Sequence, residues 1–286
     1  MELLMSITKI ILLSGLCIGA ILGAYAMFVE PFSLRITNHT IKTDKWKSDK
    51  PLTIALLADP HMIWPWMTKA HLQRIVDRTN TLNPDLVFLL GDYVGDHPFG
   101  KQLDPYDAIK PFENLNSKCG VFGVLGNHDM REKEIHDGSW VNAMQQSLIP
   151  ILDNQSENIQ CHKQNISIAG IEDWWWGKPD IAKSLKNIEQ QNLILFLTHN
   201  PDAFLELPQY VDVTFAGHTH AGQVRFPFIG ALSRVVPSKY GDKYAYGHIV
   251  EGSKQMIVSA GLGMTGLPIR FLNKPEITLV TITGGE

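Results

Sequence analysis

The chain opens on an apolar stretch and then settles into short apolar runs separated by polar segments. Residues 10–29 carry no charge and are rich in Ile, Leu, Ala and Gly. This is about the length, roughly 20 residues, that a helix needs to cross the hydrocarbon layer of a bilayer. The pattern therefore predicts a transmembrane helix. Ala24-Tyr25-Ala26 also fits a small-x-small cleavage site, so a cleaved signal peptide competes. The run is longer than the usual apolar region of a signal, about 7 to 15 residues, which favours an uncleaved anchor. Further on, apolar runs at 52–58, 85–90, 119–125, 166–171, 193–198 and 211–216 read as strands, as do 256–259 and 277–282. Between the first two, Leu72, Ile75, Val76 and Thr79 recur at helical spacing with polar residues around them, predicting a surface helix in a β-α-β unit. The division expected is an anchor over 1–30, a juxtamembrane connector over 31–50 and one large α/β domain over 51–286.

Composition narrows the function. Of 286 residues, 44% are hydrophobic and 19% charged, which describes a globular chain rather than a disordered one. A net charge of -4 provides no broad basic field, so nucleic acid held through its phosphates is an unfavourable partner and any anionic substrate needs a local positive source. The cysteines are Cys17, Cys119 and Cys161, which excludes a disulfide framework and leaves a single bridge open. Without a C-x-x-C pair, a structural zinc knuckle is not expected. Lys9 alone precedes the apolar helix, whereas Arg35, Lys42, Lys45 and Lys47 follow it. That count places the domain in the cytoplasm, but long domains translocate regardless of flanking charge, and the side of the membrane stays open.

Five of the apolar runs end on polar residues of one chemical kind. In chain order these are Asp59-Pro60-His61, Gly91-Asp92, Gly126-Asn127-His128-Asp129, Thr198-His199 and Gly217-His218-Thr219-His220. Ligand groups of layered α/β folds gather at such strand ends, where free loops start from fixed points. Carboxylate, imidazole and amide ligands without thiolate suit manganese, iron or zinc in a catalytic site. A D-x-H or G-D fragment alone arises by chance, while a G-N-H-D string occurs by chance at on the order of one position in 100,000. Finding all five in order at strand ends makes a metal site the expected function.

In these motifs the sequence resembles the calcineurin-like metallophosphoesterases, whose pattern is D-x-H, G-D, G-N-H-D/E, H and G-H-x-H. The segments 218–223, 261–263, 268–270 and 275–277 are similar to a membrane-associated bacterial branch of phosphodiesterases related to UDP-2,3-diacylglucosamine pyrophosphatases. The resemblance implies a layered β-sandwich flanked by helices, behind one transmembrane helix. It implies two divalent cations, one held by Asp59, His61, Asp92 and His220, the other by Asp92, Asn127, His199 and His218. Asp92 would bridge, since a carboxylate can hold two cations about 3.5 to 4 Å apart. By the same resemblance His128 acts on the substrate as a proton donor or charge stabiliser, and Asp129 orients its imidazole. Pro60 is expected to keep Asp59 extended. Arg270 is a candidate for a second phosphate through its forked donors, against the commoner fate of a surface ion pair.

The function so implied is hydrolysis of a phosphodiester or pyrophosphate at a membrane, with a lipid-linked phosphate as substrate and UDP-2,3-diacylglucosamine as the most specific reading. An exported phosphodiesterase of envelope polymers or small diesters is the alternative. A non-catalytic, metal-stabilised scaffold is disfavoured because every motif residue is present. Trp174, Trp175 and Trp176, like Trp64 and Trp66, fit either the wall of an acyl or base pocket, or contact with the headgroup layer, or ordinary packing, and are left outside the site. Residues 226–236 fit either a membrane-facing flap or an irregular core segment.

Overall fold

The computed structural model describes residues 2–285. Its first element, α1 (Glu2–Phe28), is exposed from Met5 to Ala24. At 27 residues it is about 40 Å long, enough for the hydrocarbon layer. A helix apolar all round with no packed face suits an apolar solvent, so α1 is a candidate membrane anchor by length and composition.

The rest of the chain builds two sheets. The first part supplies β1 (Arg35–Thr43), β2 (Leu52–Leu57), α2 (Lys69–Thr81), β3 (Leu86–Leu90), α3 (Pro105–Ala108), β4 (Val121–Val124), α4 (Asn127–Ile135) and α5 (Ser139–Gln146). The second supplies β5 (Gln155–Cys161), β6 (Gln164–Gly170), α6 (Ile181–Ser184), β7 (Leu193–Leu197), β8 (Val213–Ala216), a hairpin of β9 (Arg225–Phe226) and β10 (Gly230–Ala231), then β11 (Gly247–Glu251), β12 (Lys254–Val258) and β13 (Glu276–Gly284). One sheet has the order β1-β13-β2-β3-β4 and the other β11-β12-β8-β7-β6-β5. Their inner faces meet in one core, where Leu52, Ile54, Leu56 and Phe88 face Ile168, Leu195, Leu197 and Phe215. The outer face of the first sheet, with Ala55, Leu57, Val87 and Leu89, is covered by Leu72, Ile75 and Val76 of α2 and by Trp140 and Met144 of α5. Both faces of β2 and β3 are therefore dry, which is why these strands read as continuous apolar runs. The expected sandwich flanked by helices is the fold observed.

Residues 35–43, inside the expected connector, form a full strand. β1 pairs in parallel with β13 from Arg35↔Glu276 to Thr43↔Gly284, and Ile41 and Trp46 are buried in the core. Cys119, just before β4, bonds Cys161 at the end of β5 with Cα atoms 5.6 Å apart, tying the two sheets together. The central strands of each sheet run parallel. All their C-terminal ends consequently emerge at one end of the sandwich, where the polar motifs stand.

Candidate metal centre and active site

The structure brings together all seven residues expected as ligands. Asp59, His61, Asp92, Asn127, His199, His218 and His220 are each 8% exposed or less. Five of them have left-handed backbones, with φ of 52° at Asp59, 43° at His61, 56° at Asp92, 72° at His218 and 50° at His220. Asp59 thus departs from the extended geometry expected ahead of Pro60. Left-handed non-glycine residues cost on the order of 1 to 3 kcal/mol each and persist where the surroundings over-determine them. Clustered beyond the ends of β2, β3 and β8, they mark a built site.

Two motif glycines are explained by close approach. A side chain at Gly126 would run into Asp92 Oδ1, and a Cβ at Gly217 would lie 2.7 Å from Asp59 Oδ2. Without those side chains, backbone N–H groups reach the carboxylates: His128 N donates to Asp92 Oδ1 (2.8 Å) and His218 N to Asp59 Oδ1 (2.9 Å).

The imidazoles are oriented by backbone carbonyls. His61 Nδ1 donates to Val94 O (2.9 Å) and His199 Nδ1 to Leu90 O (2.7 Å), so both present Nε2 to the centre. Burial pushes His61 down to about 3, leaving its Nε2 lone pair 3.1 Å from His220 Nε2 and 3.5 Å from Asp92 Oδ2. Burial likewise holds His218 and His220 well below the usual range. At His199 burial opposes the charge, but Asp92 and Asp59 outweigh it and raise the group to about 10. Its Nε2 faces three acceptors at once, Asn127 Oδ1 at 3.0 Å, His218 Nδ1 at 3.2 Å and Asp92 Oδ2 at 3.2 Å. One proton cannot satisfy all three; a divalent cation among them can. Donor atoms of Asp59, His61 and His220 lie within 4.8 Å of one another, as do those of Asp92, His199 and His218. These residues fit two cations.

Three side chains differ from expectation. Asp129, expected to orient His128, is fully buried and accepts the backbone N–H groups of Asp92 (2.8 Å), Tyr93 (2.8 Å), Val94 (3.1 Å) and Gly126 (2.9 Å). It fastens the β3 loop to the start of α4. The carboxylate on His128 is instead that of Asp96, whose Oδ2 lies 3.0 Å from Nδ1. Burial opposes a charge on His128, but Asp92 and Asp96 raise it to about 9 before any cation is counted. Asp96 stands in a loop four residues beyond Asp92 with no apolar pattern around it; its nearness to G-D was the only signal. Arg270, expected at the substrate, has no exposed surface. Its guanidinium donates to the carbonyls of Gly263, Ala260, Gly261 and Asn273, with distances from 2.6 to 3.2 Å, and Nη2 lies 3.4 Å from His220 Nδ1. Its donors are consumed by loop carbonyls, so it supports the site from beneath. Trp175, left outside the site by the sequence, sets its ring edge-on to His218 with centroids 4.5 Å apart while staying 46% exposed.

His128 and Asp96 line a cavity of about 400 Å³ that also holds Arg131 and Trp140. On the other side of the centre, His220 borders an apolar cleft of about 440 Å³.

Comparison with known proteins agrees with this geometry. The Calcineurin-like phosphoesterase family profile matches residues 52–222, a span holding all seven clustered residues and His128. An uncharacterized metallophosphoesterase of Bacillus subtilis, YkuE, is 32% identical over 267 residues, 90% of this chain and 88% of its own length. An uncharacterized metallophosphoesterase of Aquifex aeolicus is 29% identical over 93% of this chain and 98% of its own. A zebrafish transmembrane protein with a metallophosphoesterase domain is 26% identical over 94% of this chain, which spans 62% of that protein. Domains of this type work with two divalent cations, and the clustered His and Asp side chains answer that need. The chain belongs to the calcineurin-like phosphoesterase family and is a metal-dependent hydrolase of phosphoesters.

Proposed function

We propose that Asp59, His61, Asp92 and His220 hold one cation, that Asp92, Asn127, His199 and His218 hold the other, and that the enzyme cleaves a phosphodiester or pyrophosphate of a lipid-linked molecule at a membrane. The observation that carries the dinuclear reading is the place of Asp92 Oδ2, 3.5 Å from His61 Nε2 and 3.2 Å from His199 Nε2. One carboxylate faces both halves of the cluster. When bound, the cations offset the phosphate charge and lower the pKa of an attacking water.

The chain's own residues handle the proton. Asp96 holds His128 Nδ1, which leaves Nε2 to protonate the departing oxygen. Asp129 keeps the loops carrying Asp92 and His128 in register by its backbone hydrogen bonds. Residues 1–30 serve as anchor and 51–286 as catalytic domain, with β1 of the intervening segment completing the first sheet. The lipid-linked reading is supported by α1 and by the attachment of its end to the segment under His220, where Arg270 N donates to Ala26 O (2.9 Å) and Asn273 Nδ2 to His220 O (2.6 Å). UDP-2,3-diacylglucosamine is its most specific form, resting on the resemblance of segments 218–223, 261–263, 268–270 and 275–277.

The Cys119–Cys161 bond favours the second reading, an exported envelope phosphodiesterase. Disulfides persist in oxidising compartments and are rare in the cytosol, where a nucleotide-linked lipid precursor would be met. Turnover of mono- and diester reporters, a UDP-linked lipid and an envelope polymer by the metal-loaded protein decides between them. Preference for the UDP-lipid establishes the first reading. Turnover of polymer or small diesters with none of the lipid establishes the second.

A further inference from the structure

We propose that residues 224–237 form a flap inserted in the bilayer surface, and that the cleft between this flap and His220 receives an acyl chain of a membrane lipid. The proposal rests on the lipid-linked reading above and gives it a binding site.

The β9–β10 hairpin and the turn after it present large apolar side chains to the outside. Phe226 is 42% exposed, Ile229 68%, Leu232 46% and Val235 61%, and Phe228 at the tip has no cover at all. Leu267, 60% exposed, stands on the opposite wall of the cleft. A contiguous apolar face of this kind marks an interaction surface, not ordinary scatter. Behind it the cleft runs inward between Leu232, Val235 and Leu267 to His220, and Thr265 of the same wall reaches within 3.5 Å of His128 Nε2. Among the described residues that line the cleft there is no Asp, Glu, Lys or Arg. A chain of methylenes suits such walls and a second phosphate or sugar does not. Gln223 pins the two walls, donating to Thr265 O (3.0 Å) and Leu267 O (2.8 Å) and accepting from Thr265 N (2.9 Å). The cleft is therefore preformed.

Continuity with α1 identifies the occupant. The segment 270–273 receives the end of α1 through Arg270 N→Ala26 O (2.9 Å) and carries the flap through the Val224↔Phe271 bridge and Arg225 N→Phe271 O (2.9 Å). A bilayer that takes up α1 meets the flap at the same level, as it meets the exposed Phe28 and Phe32. The flap is thus an interfacial surface of the kind that dips apolar side chains into the acyl boundary.

Two measurements test this. Protein lacking residues 2–24, which keeps the buried end of α1, is mixed with vesicles of phosphatidylethanolamine and phosphatidylglycerol. It should co-sediment with them, and Phe228→Ser/Ile229→Ser should lower the partition by at least about tenfold with an unchanged melting temperature. Leu148→Ser, exposed elsewhere, is the control and should bind as the parent does. Absence of vesicle binding, or equal binding by the flap variant, overturns the flap, as does a concentration-dependent dimer that buries it against a second copy. Full-length protein is then given alkyl p-nitrophenyl phosphates from methyl to octyl below their micellar concentrations. The cleft predicts kcat/KM rising with chain length, and Leu232→Trp should flatten the rise. A flat profile in the parent overturns the acyl site. If no diester is cleaved at any length, the phosphodiesterase reading fails instead, while vesicle binding still decides the flap.

Discussion

Glu30, directly beyond α1, accepts the backbone N–H of Asn273 with its carboxylate, and the side-chain amide of Asn273 in turn donates to His220 O. Leu272 N donates to the same carboxylate (3.0 Å), and Glu30 is 1% exposed. The end of the apolar helix is thereby joined to the loop that carries a proposed ligand. Truncation of residues 2–24 should leave two metals per chain and the melting temperature unchanged. Glu30→Ala should destabilise by about 1 to 3 kcal/mol, because two buried N–H groups lose their acceptor, and should lower metal retention. Glu30→Gln keeps an acceptor and should lie between. Denaturant melts and metal analysis on the three variants check this; full metal content and stability in Glu30→Ala would break the link between helix and site.

The His128–Asp96 pair separates proton chemistry from metal binding. His128→Ala should keep its metals while losing about 10² to 10⁴ in turnover. Asp96→Asn should also keep its metals and lose less, since the imidazole remains but its Nδ1 partner no longer favours the charged form. Metal loss parallel to activity in either variant would make the residue a ligand.

Asp85 tests electrostatics far from the site. It accepts from Thr53 N and Thr53 Oγ1 at 2.8 Å and from Lys118 Nζ and His162 Nε2 at 2.9 Å. Burial works against its charge, yet these donors hold it below the usual carboxylate range. The group is ionised at a lower pH folded than unfolded, so its contribution is complete above about pH 4 to 5 and fades as pH falls through the lowered value. Asp85→Asn should cost on the order of 1 to 3 kcal/mol at pH 7, with the gap to the parent closing below about pH 4. A gap that is constant with pH would contradict the ionic account.

The disulfide closes a loop of 42 residues between the sheets. In the chain-entropy account this is worth up to about 4 kcal/mol. Cys119→Ser/Cys161→Ser should therefore melt several degrees lower. Thiol labelling of unfolded protein taken from the native membrane should modify Cys17 alone. Labelling at Cys119 and Cys161 would place the domain in a reducing compartment and remove the support for the exported reading.

The parts legible in the sequence were those buried on both sides. β2, β3, β7 and β8 are dry on both faces and read as apolar runs, and the motif residues stand where those runs end. β1, β5 and β11 lie at sheet edges. Their sequences, such as Arg35–Thr43 and Gln155–Cys161, are mostly polar because one face and one edge meet water. No apolar run marks them. The motif residues declared themselves by type and order, whereas the environments of Asp96, Asp129 and Arg270 depend on which partners each carboxylate or guanidinium meets across the fold. Arg270 and its receiving carbonyls at 260, 261 and 263 come from a glycine-rich loop whose path no periodicity describes.

A dinuclear centre requires Asp92 before any other residue. Metal content per chain, measured on the purified parent and on Asp92→Ala beside diester turnover, should give two divalent ions and activity in the first, and well under two ions with almost no turnover in the second. Two ions retained with normal turnover in Asp92→Ala would contradict the dinuclear centre.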